Sequence, residues 1–72
     1  PVMVFTGLAN MEFGLLNYEQ KTIDLYSAKS GMRTKVLTLP ETAEPTPMFN
    51  FCFTNGTYFL YHKDLGVWVG YK

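Results

Sequence analysis

A chain of 72 residues with six basic and six acidic side chains makes one small domain without net charge, residues 1–72 forming a single unit. The charges are scattered rather than blocked, so the basic stripe that releases counterions from a nucleic-acid backbone is missing, and no nucleic-acid partner is expected. One cysteine (Cys52) and one histidine (His62) among scattered carboxylates form neither an intrachain disulfide nor a zinc spacing, and no metal or cofactor is expected. Apolar runs are far shorter than the roughly 20 residues of a membrane span, which excludes a spanning helix on sequence grounds.

Residues 2–6, Val-Met-Val-Phe-Thr, read as a short strand ending at Gly7. Residues 11–18 follow. Met11, Leu15 and Tyr18 would share a helix face, with Asn10 as N-cap, but Gly14 interrupts the middle and residue 13 is not the Glu or Gln of a capping box. As a strand, Met11, Phe13 and Leu15 share one face, and the doubled Leu15-Leu16 points to a bulge or bend near Gly14. The strand is the preferred reading. Thr22-Ile23-Asp24-Leu25-Tyr26 is a clear strand, and Lys29-Ser30-Gly31 supplies the turn into a returning strand from Arg33 to Leu39. The Arg33/Lys35 end of that strand is expected to be wet and the Leu37/Leu39 end buried.

Pro40 to Pro47 holds three prolines in eight residues and reads as an extended loop between the two halves of the domain. The remainder, Met48 to Lys72, carries eight of the twelve aromatic side chains. Phe49, Phe51 and Phe53 alternate with Asn50, Cys52 and Thr54, and Asn55-Gly56 then marks a type I′ hairpin, whose two central positions both need φ > 0. A two-residue loop there sets Phe53 opposite Tyr58, Phe51 opposite Leu60 and Phe49 opposite His62, with Cys52 and Phe59 on the other face beside Asn50 and Tyr61. Asn55-Gly56-Thr57 also fits the N-glycosylation pattern, but the turn accounts for all three residues. Lys63-Asp64-Leu65-Gly66 turns the chain into a last strand, with Val67, Val69 and Tyr71 on one face and Trp68 with Gly70 on the other. The fold expected is all-β, an antiparallel meander of six to seven short strands closing as a small barrel or a two-layer sandwich.

Two arrangements invite a catalytic reading. Pro1-Val2-Met3-Val4-Phe5 is similar to the opening of the tautomerase family, in which an N-terminal proline amine leading a strand is the general base. The resemblance covers five residues. That family continues into a long helix, whereas nothing after Thr6 reads as one, and a leading proline is expected either where an initiator methionine is removed or at the start of a processed fragment. Cys52 and His62 are the other pair, but the predicted register puts them on opposite faces, so Cys52 reads as a small buried apolar group and His62 as a rim residue at a strand end.

No catalytic residue is assigned, and the chain is expected to be no enzyme. A domain this short buries only about 60% of the surface its unfolded chain exposes, so its surplus of aromatic surface calls for a partner. The expected function is non-enzymatic protein binding or assembly through Phe59, Tyr61, Trp68 and Tyr71, with further copies or another protein as partner. Small viral proteins often take this form, as structural subunits or inhibitors of a host factor, and a lone cysteine fits the cytoplasm or a virion better than secretion. The alternatives are a small-ligand- or carbohydrate-binding, lectin-like module that uses Trp68, Tyr61 or Tyr71 as stacking platforms and, third, a small enzyme that uses the Pro1 amine.

Overall fold

The computed structural model describes residues 2–43, 45 and 51–72. Among the described residues seven strands follow one another: β1 (Val2–Phe5), β2 (Phe13–Asn17), β3 (Thr22–Tyr26), β4 (Arg33–Thr38), β5 (Phe51–Thr54), β6 (Thr57–His62) and β7 (Val67–Tyr71). They form two antiparallel meanders, a four-stranded sheet in the order β1-β2-β3-β4 and a three-stranded sheet in the order β5-β6-β7. The two sheets pack face to face as a small sandwich, and β1 lies against β5.

Turn chemistry explains the connections. Asn55 and Gly56 have φ of 51° and 73°, the type I′ turn that the right-handed twist of paired strands favours. The resulting register is the expected one, with Phe51 opposite Leu60, Cys52 opposite Phe59 and Phe53 opposite Tyr58. The pairing of Phe49 with His62, and the side expected for Asn50, lie outside the described residues. Gly31 and Gly66 close the β3–β4 and β6–β7 turns, again at positive φ. After β4 the chain makes a turn in which Ala43 donates its N–H to the Pro40 carbonyl, and Lys21 reaches the Glu41 carbonyl through its Nζ. The expected Pro40–Pro47 loop is therefore a compact turn where it begins, and Glu44, Thr46 and Pro47 fall outside the described residues.

The core lies between the sheets. Leu16, Ile23, Leu25, Leu39 and Ala43 on one side meet Phe51, Tyr58 and Leu60 on the other. Tyr58 stacks on Phe51, with ring centroids 6.2 Å apart, and tilts against Phe53 at 4.7 Å. Gly14 lies under that ring and closer still to two side chains of its own sheet. A Cβ at residue 14 would stand 3.3 Å from Leu25 Cδ2 and from Val4 Cγ2, and 3.5 Å from Tyr58 Cε1. A glycine inside a strand marks such a close approach.

This finding corrects the bulge expected near Gly14. The β1–β2 ladder runs unbroken from Val2 opposite Leu16 to Phe5 opposite Phe13, and the irregularity falls between Leu25 and Tyr26 where β3 meets β4. Leu15 and Leu16 are both apolar because both faces of this sheet are apolar, not because the chain bends. Along β4 the expected gradient is present, with Arg33 and Lys35 exposed, Leu37 half-buried and, just past the strand, Leu39 buried.

Polar contacts lock one end of the four-stranded sheet. Thr6 donates its hydroxyl to the Met11 carbonyl (2.7 Å) and accepts the Leu8 N–H (3.0 Å). The Glu12 carboxylate accepts the N–H groups of Ala28 (2.9 Å) and Asn10 (3.1 Å), joining the β1–β2 loop to the turn after β3. These bonds, with the one from Ala28 strongest, hold the Glu12 carboxyl below its ordinary value of 4.5. A carboxylate depressed in the folded state contributes stability above its unfolded pKa and loses it as pH falls through the folded one. Thermal midpoints of the parent and Glu12→Gln should therefore differ at neutral pH, with the parent higher, and converge as the pH drops below 4.5. A gap that stays constant down to strong acid would show that the ionised form is not what these loops bind.

Candidate interaction surfaces

On β6 and β7 the register sets Tyr61 opposite Trp68 and Phe59 opposite Gly70, so all four share the outer face of the three-stranded sheet. Tyr61 and Trp68 meet edge to face at 5.4 Å, and Trp68 remains 50% exposed. Phe59 lies over Gly70 so closely that a Cβ there would come within 3.0 Å of Phe59 Cε1 and 2.9 Å of Thr57 Cγ2. The glycine is thus a seat for a neighbouring ring. Three of the four residues expected to bind, Phe59, Tyr61 and Trp68, are brought together here.

Tyr71 is not with them. It belongs to the inner face, opposite Tyr58, and its hydroxyl lies 2.9 Å from Nε2 of His62. His62 is only 3% exposed, which corrects its reading as a rim residue. A Tyr ring reaching back along β7 covers it and supplies a hydrogen-bonding partner for the imidazole. Cys52 is half-buried on the outer face opposite Phe59, so Cys52 and His62 occupy opposite faces of the sheet as the register requires. They make no nucleophile–base pair. Among the described residues no three of His, Cys, Asp and Glu converge as a metal site, and no helix is long and apolar enough to cross a membrane.

The second surface escaped the sequence reading. The outer face of the four-stranded sheet carries one cross-strand row of Phe5, Phe13 and Tyr26 and another of Met3, Leu15, Asp24 and Val36. Phe5 and Phe13 meet edge to face at 5.5 Å, yet Phe5 is 66% and Met3 58% exposed. Asp24 accepts a hydrogen bond from the Thr22 hydroxyl, and the Phe5 row ends in a second charged residue, Arg33, opposite Tyr26. The signal available in the sequence was the run Val2-Met3-Val4-Phe5, apolar at both strand parities, where a strand covered on one side only would alternate with polar residues. Comparison with protein-family models, curated proteins and solved structures finds no match to this chain, so its functional reading rests on its own residues.

Proposed function

We propose that this chain is a non-enzymatic protein-binding and assembly domain that associates with copies of itself. The supporting observation is that the sandwich, having buried its inner faces, leaves large apolar side chains on both outer ones: Met3, Phe5 and Val36 on one sheet, Trp68 with Tyr61 on the other. Exposed apolar patches rimmed by polar residues mark interaction sites, and aromatic side chains are what interface cores enrich. Zero formal charge leaves little long-range repulsion between copies. Sedimentation velocity of the chain across the micromolar range should show a concentration-dependent shift from monomer to a larger species. One monomeric species throughout overturns the self-associating reading.

A second reading has its own observation, the half-exposed Trp68 held edge to face by Tyr61. Such a ring presents a flat platform to the apolar face of a sugar. Saturable quenching of the single tryptophan by a simple saccharide would favour that reading over assembly.

A further inference from the structure

The two sheets have four edge strands, and three of them are blocked. β1 and β5 lie against each other where the sandwich closes. β4 carries Arg33 and Lys35 and is bulged against β3, and charge and bulges are the devices that keep an edge from pairing. β7, Val-Trp-Val-Gly-Tyr, has no charge, no proline and an unbroken register with β6.

The direction of its backbone groups follows from the Asn55-Gly56 turn. In a two-residue hairpin the flanking residues, here Thr54 and Thr57, exchange both backbone bonds, and such pairs alternate along the ladder. Thr57, Phe59 and Tyr61 therefore face β5, while Tyr58, Leu60 and His62 turn their N–H and C=O groups to Tyr71, Val69 and Val67. Trp68 and Gly70 point theirs to the open edge, and no turn or loop backbone bond among the described residues involves them.

We infer that β7 pairs antiparallel with β7 of a second copy about a two-fold axis through Val69, an inference that rests on the assembly reading and names its contact. This register uses every outward group of the two strands' centre, since Trp68 opposes Gly70 of the second copy, and Gly70 opposes its Trp68. The steric match is as good as the hydrogen bonding. Gly70 has no side chain and already seats the Phe59 ring, so the indole of the second copy lies over it and against Phe59. A continuous row results: Cys52, Phe59 and Gly70 of one copy, then Trp68 and Tyr61 of the other. Centring the axis on Trp68 would instead oppose two indoles and leave Gly70 without its complement. The two three-stranded sheets become one sheet of six, the strand-addition mode in which backbone bonds supply affinity.

Cross-linking reads the register directly. At the two-fold, Val69 opposes Val69 of the second copy as a non-hydrogen-bonded pair with Cα atoms about 4.5 Å apart, inside the roughly 4.4–6.8 Å span of a disulfide. Val67 opposes Tyr71, so the two copies of Val67 stand roughly 13 Å apart at about 3.3 Å per residue, beyond that span. In a Cys52→Ser background under mild oxidation, Val69→Cys should form disulfide dimer at least about tenfold faster than Val67→Cys, because association supplies a millimolar effective concentration. N-methylation of the Gly70 nitrogen, introduced by ligation at Cys52, removes one outward donor without touching the β6 ladder and should move the unsubstituted chain to monomer. If the chain sediments as an oligomer but the two cysteine variants cross-link at equal rates, or the methylated chain stays oligomeric, this pairing is wrong and the assembly reading stands. If the chain is monomeric throughout, both fall.

Discussion

Replacing Phe51 with alanine is expected to unfold the domain. The side chain is fully buried, opposite Leu60 in the β5–β6 ladder and stacked on Tyr58 at the centre of the contact between the sheets. Truncating a buried Phe costs about 3–5 kcal/mol through lost transfer energy and the cavity left behind. A 72-residue domain has about 4–11 kcal/mol in total, so the loss is comparable to the whole. Phe5→Ala is the control, since that ring is 66% exposed and its removal should cost about 0.5–1.5 kcal/mol, the worth of its edge-to-face contact with Phe13. Urea titration followed by near-ultraviolet circular dichroism separates the two. A Phe51→Ala chain with an unchanged midpoint would mean that the three-stranded sheet is not held by this core.

The strand framework was legible wherever a local rule sufficed. Asn55-Gly56 specified its own backbone geometry, and through it the whole β5–β6 register, because both turn residues need positive φ and the side-chain period is two. Gly31 and Gly66 marked their turns in the same way. What stayed hidden depended on residues distant in sequence. Gly14 looked like the site of a bend, whereas it is a buried position in an unbroken ladder, crowded by Val4 and Leu25 from the two flanking strands and in ordinary contact with the Tyr58 ring of the other sheet. His62 looked like a rim residue because it ends a strand, whereas it is buried on the inner face, with the Tyr71 ring lying back along β7 against it.

The candidate surface was legible to the same extent. Phe59, Tyr61 and Trp68 followed from strand parity alone, since the register fixes which side chains share a face. The outer face of the four-stranded sheet did not. A run apolar at both parities, such as Val2-Met3-Val4-Phe5, is read by default as a strand buried on both sides. Only the way the two sheets are layered leaves Met3 and Phe5 open to solvent.

Tyr58 should respond to two substitutions with opposite signs. Its ring is 3% exposed and in contact with Phe51 and Phe53, so Tyr58→Ala should cost about 3–5 kcal/mol like other large core truncations. Its hydroxyl is also buried, and among the described residues it has no hydrogen-bond partner. An orphaned buried polar group carries a desolvation penalty of about 1–3 kcal/mol, which Tyr58→Phe relieves while leaving the ring in place. Burial pushes the phenol above its ordinary value of 10.0. An acid whose pKa is raised by folding is ionised first in the unfolded chain, so stability present below that value is lost as the pH rises past it. The phenylalanine variant should therefore unfold at higher urea than the parent at neutral pH, and its advantage should widen in alkali. If Tyr58→Phe is instead destabilised by more than about 1 kcal/mol, the hydroxyl has a favourable partner in solution. The core at Gly14 would then be wetter than its packing implies.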